Sequence, residues 1–385
     1  MGKRDFIGLF YSVNEDWIGG TYYIQNLVSA LNLLSDSKKP YIDIYTTNIK
    51  DYIELKEASG YPYLNYVNLN SKWRFFKHAV LKYLCLRKLA SNVTYVKKRD
   101  IFVFPANQVL PYRKELAWIP DFQSERLPEF FSKEDVEARR ASYLSIFEKR
   151  IPVVFSSYDS FNDYKLFFSQ YPVKTYVMHF SVTLPCLPEV AYDEIIKKYN
   201  IDLKKQYYFC ANQFWRHKNH LYLFQEIKKM LEIGYDINLV CTGKCVDYRD
   251  PSYIDKIKVL LEDKLLRSHI KILGFIDRLD MLVLMKHSIA IIQPSLFEGW
   301  STVVEDAKAL NKFVFLSDLP VHREQMTSNV CFFDPRKDND LADKLIATKP
   351  DIIPMDYNKN RQEFATRFLS VINDMKKACG VDKRV

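Results

Sequence analysis

Short apolar, β-branched runs alternate with longer amphipathic stretches along most of these 385 residues, and no other feature constrains the fold as strongly. Such alternation buries its apolar surface as a parallel sheet covered by helices. Phe6-Ile7-Gly8-Leu9-Phe10-Tyr11 reads as the first strand, Trp17-Ile18-Gly19-Gly20 as a loop, and Thr21 to Leu34 as a helix. That helix sets Ile24, Leu27, Val28 and Leu31 on one face. Further strands read at residues 41–45, 101–104 and 153–156.

Thr183-Leu184-Pro185-Cys186-Leu187-Pro188 is too rich in proline for a regular element and reads as a linker. Beyond it the alternation restarts, with strands at 207–211, 237–242, 270–273, 288–293 and 313–317 and helical patterns such as 220–233 between them. Five strands with intervening helices match a doubly wound nucleotide-binding unit. The expected division is 1–183, 184–357 and a C-terminal helix within 358–385. That helix carries a stripe of Phe364, Phe368, Leu369 and Ile372 and is expected to pack back on the first domain.

The 48% hydrophobic share, with 27% charged residues, excludes a disordered chain. Lys+Arg 56 against Asp+Glu 47 leaves +9, which favours anionic partners. No nucleic-acid module accompanies that charge, so nucleic acid is not expected. Seven scattered cysteines make no disulfide framework, and only Cys241 and Cys245 lie close together, with no zinc-finger pair following. The opening residues contain no secretory apolar core, and no run of about 18 uncharged apolar residues occurs. A cytoplasmic protein is the expectation.

Two segments concentrate the chemistry. Pro294-Ser295-Leu296-Phe297-Glu298-Gly299-Trp300-Ser301-Thr302 leaves an uncharged strand and enters a helix, at the carboxyl edge where open α/β sheets bind ligands. Glu298, an acid amid apolar neighbours, is an odd choice for a purely structural loop. Glu305 admits two readings: a ligand contact, or the closing acid of a capping box begun by Thr302. The other segment, Ala211 to His220, follows the first strand of the second half and carries Arg216 and Lys218, a fork and a point charge suited to a diphosphate. His217 and His220 lack a third ligand nearby, so no metal is expected there. In the first half, Gly19-Gly20 would admit a phosphate close to backbone, and Ile119-Pro120-Asp121-Phe122-Gln123 places an acid and an amide in a loop.

Taken in order, these segments resemble the retaining glycosyltransferases of GT-B fold, group 1 (family 4). The resemblance also takes in Ile272-Leu273-Gly274-Phe275, Glu305-Asp306-Ala307-Lys308-Ala309-Leu310 and Ser317-Asp318-Leu319-Pro320-Val321-His322-Arg323-Glu324, so it covers nearly the whole chain. Six residues separate Glu298 from Glu305, where the family usually has seven, and Ser301-Thr302 replaces the usual Gly-Leu-Pro. The resemblance implies an α/β chain with two Rossmann-like domains facing across a cleft. It implies transfer of a sugar from a nucleotide diphosphate donor to a glycan or lipid-linked acceptor, in the manner of mannosyl- and rhamnosyl-type enzymes of bacterial surface polysaccharides. Glu298 would contact the donor sugar and Glu305 the ribose. Arg216 and Lys218 would hold the diphosphate, with Gly19, Gly20, Ser301 and Thr302 near phosphate. Where the family commonly has a first-domain histidine, this chain has Asp121. His179 reads equally well as a core histidine. No metal or cofactor is implied, since basic side chains and helix N-termini supply the charge.

Residues 72–88 combine Trp73, Phe76, Val80 and Leu84 at helical spacing with surrounding lysines and arginines. That pattern fits an interfacial helix on the inner, anionic face of a membrane, or a core helix with solvated lysines. A nucleotide-sugar epimerase of the same fold and a non-catalytic carbohydrate- or membrane-binding protein are the alternative functions.

Overall fold

The computed structural model describes residues 4–14, 18–69, 100–105, 115–188, 191–202 and 206–378. They form two compact units. The first comprises residues 1–121, 140–183 and 358–385, and the second 122–139 and 184–357. The basic stretch 72–88 lies outside the described residues.

In the first unit β1 (Phe6–Phe10), β2 (Tyr41–Thr46), β3 (Leu64–Asn68) and β4 (Asp100–Phe104) form a parallel sheet in the order β3-β2-β1-β4. β5 (Ala117–Ile119), β6 (Val153–Phe155) and β7 (Thr175–Val177) form a second parallel set. Leu116 N–H donates to Val103 O at 3.1 Å and joins the two. Local chemistry sets the helix ends. Asn48 caps the helix Ile49–Ser59 by accepting from Lys50 N, and Gly60 ends it at φ 58°, where a side chain would be strained. The helix Asn358–Ala378 belongs to this unit by its packing: Phe364 meets Tyr23 at 5.5 Å between ring centres, and Phe368 meets Phe104 at 5.7 Å. Lys376 Nζ on Asp5 (2.8 Å) and Asp374 on Lys174 (2.6 Å) hold its last turns.

Gly19 and Gly20 do not form a loop. They open the helix Ile18–Leu31, whose start Thr21 fixes by donating to Ser12 O (3.1 Å) and accepting from Asn14 N (3.0 Å). A helix's first turn leaves its N–H groups free whatever the residue type, so glycine there is compatible with helix.

In the second unit β8 (Tyr208–Ala211), β9 (Leu239–Thr242), β10 (Ile270–Ile272), β11 (Ile291–Gln293), β12 (Val314–Ser317) and β13 (Val330–Phe333) are parallel, in the order β10-β9-β8-β11-β12-β13. Alternate residues face opposite layers, as strand geometry requires. Cys210, Cys241, Ile292 and Phe315 pack with Leu223, Phe224 and Ile227, whereas Phe209, Val240, Ile291 and Leu316 pack with Val304 and Ala307. The chain builds outward from β8 to β10, then returns to the other side of β8 with β11. The loops leaving β8 and β11 therefore sit side by side at the carboxyl edge, the position where sheets of this order bind ligands.

Candidate functional site

The loop after β8 makes one 3₁₀ turn over Arg216–Lys218, then Asn219 adopts φ 63° before the helix His220–Glu232. Buried Asp247 holds this turn: it accepts from Arg216 N (2.8 Å) and pairs with Arg249 Nε (3.1 Å). Arg249 also donates to Gln123 Oε1 (3.3 Å) and to Nδ1 of buried His217 (3.3 Å). Burial, with the charges of Lys218 and Arg249, holds His217 well below the usual imidazole range, so the ring stays neutral and accepts. Leu296 N donates to His217 O at 2.7 Å and ties the loop after β11 to the loop after β8.

That tie brings Lys218 Nζ to 2.6 Å from Glu298 Oε1, with the two side chains 14% and 9% exposed. Gln293 Nε2 (2.8 Å) and Ser295 Oγ (2.7 Å) donate to the same oxygen. Gln293 is itself set by Asn212 Nδ2, which donates to its Oε1 at 2.8 Å. Three donors thus converge on Oε1, and among the described residues none meets Oε2. Burial pushes the Glu298 carboxyl up, but Lys218, His322 and Ser295 outweigh it and hold the group below the usual carboxylate range. The arrangement is an ionised carboxylate with one oxygen anchored and one open, beside an ammonium that retains two N–H donors.

The other candidates lie differently. The Arg216 guanidinium, 44% exposed, sits 4.4 Å over the Phe130 ring and 3.5 Å from Asp250. Ser301, not Thr302, caps the helix Thr302–Ala309, its Oγ accepting from Val304 N at 3.4 Å. Glu305 is therefore the fourth helical residue, and the capping-box reading fails: the acid is one position too far along. Glu305 is 1% exposed. Its Oε1 accepts from Lys308 (2.9 Å) and Gln325 (3.0 Å), and its Oε2 from the Tyr357 hydroxyl. A buried carboxylate requires such donors, and these three occupy both oxygens. Ser301 is likewise held by its own unit, its N donating to Gln325 Oε1 (3.1 Å). Thr302 is half-buried at the first helical position. In the first unit, Asp121 follows β5, with its carbonyl accepting from Tyr143 at 3.5 Å. His179 is not a core residue; it is half-buried just after β7, against Tyr158 at 5.8 Å. Among the described residues no three His, Cys, Asp or Glu side chains cluster as a metal site, and no helix is long and apolar enough to cross a membrane.

Sequence reasoning overlooked Gln293, Ser295, Asp247, Arg249 and Gln325. Gln293 had a legible signal, an amide closing an otherwise apolar strand; the rest are ordinary polar residues until the loops meet. Gly243 has another reason. At φ 137° its added Cβ would lie 2.0 Å from Asn212 O, so glycine alone lets the loop after β9 press against the loop after β8.

Comparison with known proteins agrees with this geometry. Residues 191–364 match the family described as Glycosyl transferases group 1. The chain is 26% identical over 183 residues to the O-antigen chain mannosyltransferase RfbU of Salmonella typhimurium, a stretch covering 42% of this chain and 50% of that protein. The aligned part thus spans about half the length of this curated relative. Two solved structures share the fold over nearly all of both chains. One is a glycosyltransferase from Rickettsia africae (TM-score 0.60, 15% identity, 100% of each chain). The other is HepE from Anabaena, in complex with UDP and glucose (TM-score 0.57, 14% identity, 98% of this chain and 100% of that one). Parallel α/β units of this order and the shared solved structures give the chain a GT-B fold, and within it residues 191–364, which carry Lys218 and Glu298, match the family of group 1 glycosyl transferases.

Proposed function

We propose that the chain is a retaining glycosyltransferase that moves a sugar from a nucleotide diphosphate sugar to an acceptor hydroxyl, in the building of a bacterial surface polysaccharide or glycolipid. The observation that carries this reading is the Lys218–Glu298 pair, set where β8 and β11 adjoin, with Oε2 of the carboxylate open. In this reading Oε2 accepts a hydroxyl of the donor sugar. The bond from the anomeric carbon to the diphosphate breaks as the acceptor oxygen arrives on the same face. The departing diphosphate oxygen takes the bonding electron pair, the free N–H groups of Lys218 meet its negative charge, and the same oxygen, on the face where the acceptor arrives, takes the proton that the acceptor hydroxyl gives up. One preorganised charge of this kind is typically worth ~10²-fold or more in rate. Asp121 is the first-unit candidate near the acceptor, and metal independence follows if Lys218 supplies the needed charge. The kinship with a mannosyltransferase makes GDP-mannose the first donor to test, and the UDP complexes of HepE make UDP-glucose the second.

The decisive assay incubates the protein with each nucleotide sugar and a lipid-linked or soluble glycan, with EDTA present. Expected are nucleoside diphosphate release dependent on acceptor and a product whose anomeric configuration matches the donor. Conversion of donor without acceptor would show an epimerase, and an inverted product would exclude the retaining mechanism. The basic stretch 72–88 is proposed to rest on anionic lipid where a lipid-linked acceptor is embedded. Sedimentation with anionic vesicles should be lost as salt rises, because screening contracts to ~10 Å at 0.1 M. Absence of sedimentation at low salt would remove the membrane from the reading.

A further inference from the structure

Arg249 is charged, yet its side chain is only 4% exposed, and all three guanidinium nitrogens donate. Nε meets Asp247 Oδ1 (3.1 Å), one Nη meets Gln123 Oε1 (3.3 Å), and the other meets Nδ1 of His217 (3.3 Å). The rings of Trp215 (5.0 Å) and Phe131 (5.1 Å) pack against the group. Three consecutive residues leading to Lys218 are thereby fixed. Trp215 is held by its ring, Arg216 by the N–H that Asp247 Oδ2 accepts (2.8 Å), and His217 by its imidazole. Lys218 N then donates to Trp215 O at 2.8 Å, and the Lys218 side chain is left on Glu298. A buried ion pair is seldom the most stable way to fill space, since packed apolar side chains do as well or better. What Arg249 adds is a planar fork that holds three groups at set angles. Two of its partners come from the first half of the sequence. Gln123 and Phe131 stand in 122–139, a stretch that follows directly on Asp121 yet packs with the second unit. Phe130, beside Phe131, carries the Arg216 guanidinium over its ring at 4.4 Å.

We infer that Arg249 is a positioning residue for the diphosphate site, and that Gln123, from the first half of the chain, completes the site by fixing the Arg249 fork. The inference rests on the donor-site reading above and deepens it. In that reading Lys218 meets the diphosphate with N–H groups whose placement depends on the turn. A turn released from Arg249 leaves Lys218 spread over a range of positions, so its contact with phosphate oxygens is made only part of the time. A donor site confined to residues 184–357 is therefore incomplete, because a hydrogen-bond acceptor and a ring that hold its arginine come from residues 123 and 131. The alternative is structural: Arg249 holds the loops together with no bearing on Lys218.

Calorimetric titration with GDP, UDP, dTDP and ADP separates these readings, on full chains carrying Arg249→Lys or Gln123→Met in the wild-type and Lys218→Met backgrounds. Arg249→Lys keeps the charge, so the general attraction of a cation for phosphate is retained, but an ammonium cannot serve Asp247, Gln123 and His217 in one plane. Gln123→Met keeps the length of the side chain and removes the accepting oxygen. Gln123 is only half-buried, so this variant carries the test if Arg249→Lys does not fold. Expected, for the diphosphate that the wild type binds best, is an affinity about 10-fold lower in Arg249→Lys and about 3-fold lower in Gln123→Met, as for hydrogen bonds left unmade. In the Lys218→Met background neither substitution should weaken binding further, because the side chain through which they act is gone. The same factor in both backgrounds, or no loss in the wild-type background, overturns the inference and leaves the donor site standing, with Arg249 structural. A wild-type chain that binds none of the four, or a Lys218→Met chain that binds as tightly as wild type, removes the donor-site reading itself, and the inference with it.

Discussion

Glu298 and Lys218 are each other's largest local charge, and the consequences of removing either differ. Lys218→Met leaves a nearly buried carboxylate with only Gln293 and Ser295 as donors; loss of one partner of a buried pair costs about 3 kcal/mol. Turnover should fall ~10²-fold or more. Glu298→Gln keeps an oxygen for the donors that surround Oε1, so stability should change less while turnover falls comparably. Arg216→Ala should affect rate less than Lys218→Met, because its guanidinium is engaged with Phe130 and Asp250. Steady-state kinetics beside urea titrations of the three variants check this order. The pH dependence has a defined sign. His322 has a folded pKa near 4, below its ordinary value, so between pH 6.5 and 4 the unfolded chain binds a proton that the native chain refuses. Stability is retained above pH 6.5 and falls as pH drops through that window, by up to ~3 kcal/mol. Glu298 acts in the same direction at lower pH, its stabilisation lost as pH falls through its depressed native pKa. His322→Asn should flatten the pH 6.5 to 4.5 part of the unfolding curve; an unchanged slope would assign the acid sensitivity to other groups.

At the scale of elements, the site is an encounter of four loops that follow β8, β9, β11 and β12. The encounter depends on backbone closeness that few residues permit. Gly243 N donates to Gly274 O (2.8 Å), and the space its missing side chain leaves is filled by Asn212 O. Gly243→Ala must therefore move one loop, at a cost of about 2 kcal/mol or more. Because Asn212 orients Gln293, and Gln293 donates to Glu298, the displacement should reach the donor site. Chemical denaturation together with nucleotide affinity tests this. A variant that loses stability but keeps full affinity would show that the two loops move independently. The helix Thr302–Ala309 starts where the sequence offered two caps and could not choose between them. Ser301 and Thr302 are both good caps, and the choice went to Ser301 because Gln325 bonds both its N and its O.

For the whole molecule, the C-terminal helix is the clearest case of distant sequence completing a unit. Phe364 and Phe368 pack on Tyr23 and Phe104, more than 250 residues earlier in the chain. Phe368→Ala should lower stability by roughly 3–5 kcal/mol, since it empties a fully buried position. Thermal unfolding with and without bound nucleotide reads this directly. The ligand-induced shift should persist in the variant, because the helix belongs to the first unit and Lys218 and Glu298 to the second.

The strand–helix alternation, the linker near residue 184 and the acidic and basic loops at the carboxyl edge were legible from the sequence alone. Period-2 burial, proline punctuation and a charge amid apolar residues are local signals, and locality survives without coordinates. β3, β5, β7 and β13 were not read, although β6, β10 and β11, which were, are no longer than they are, so length alone did not hide them. Which polar residues act together was decided only by tertiary structure. Glu298 and Glu305 look alike in sequence, yet one has an open oxygen and the other is enclosed by Lys308, Gln325 and Tyr357. Arg216 and Lys218 stand two residues apart, yet the turn sends one to Asp250 and the other to Glu298. The physical reason is the same in both pairs. A charged group's role is set by the donors and acceptors that packing brings within about 3 Å, and those partners come from loops far apart along the chain.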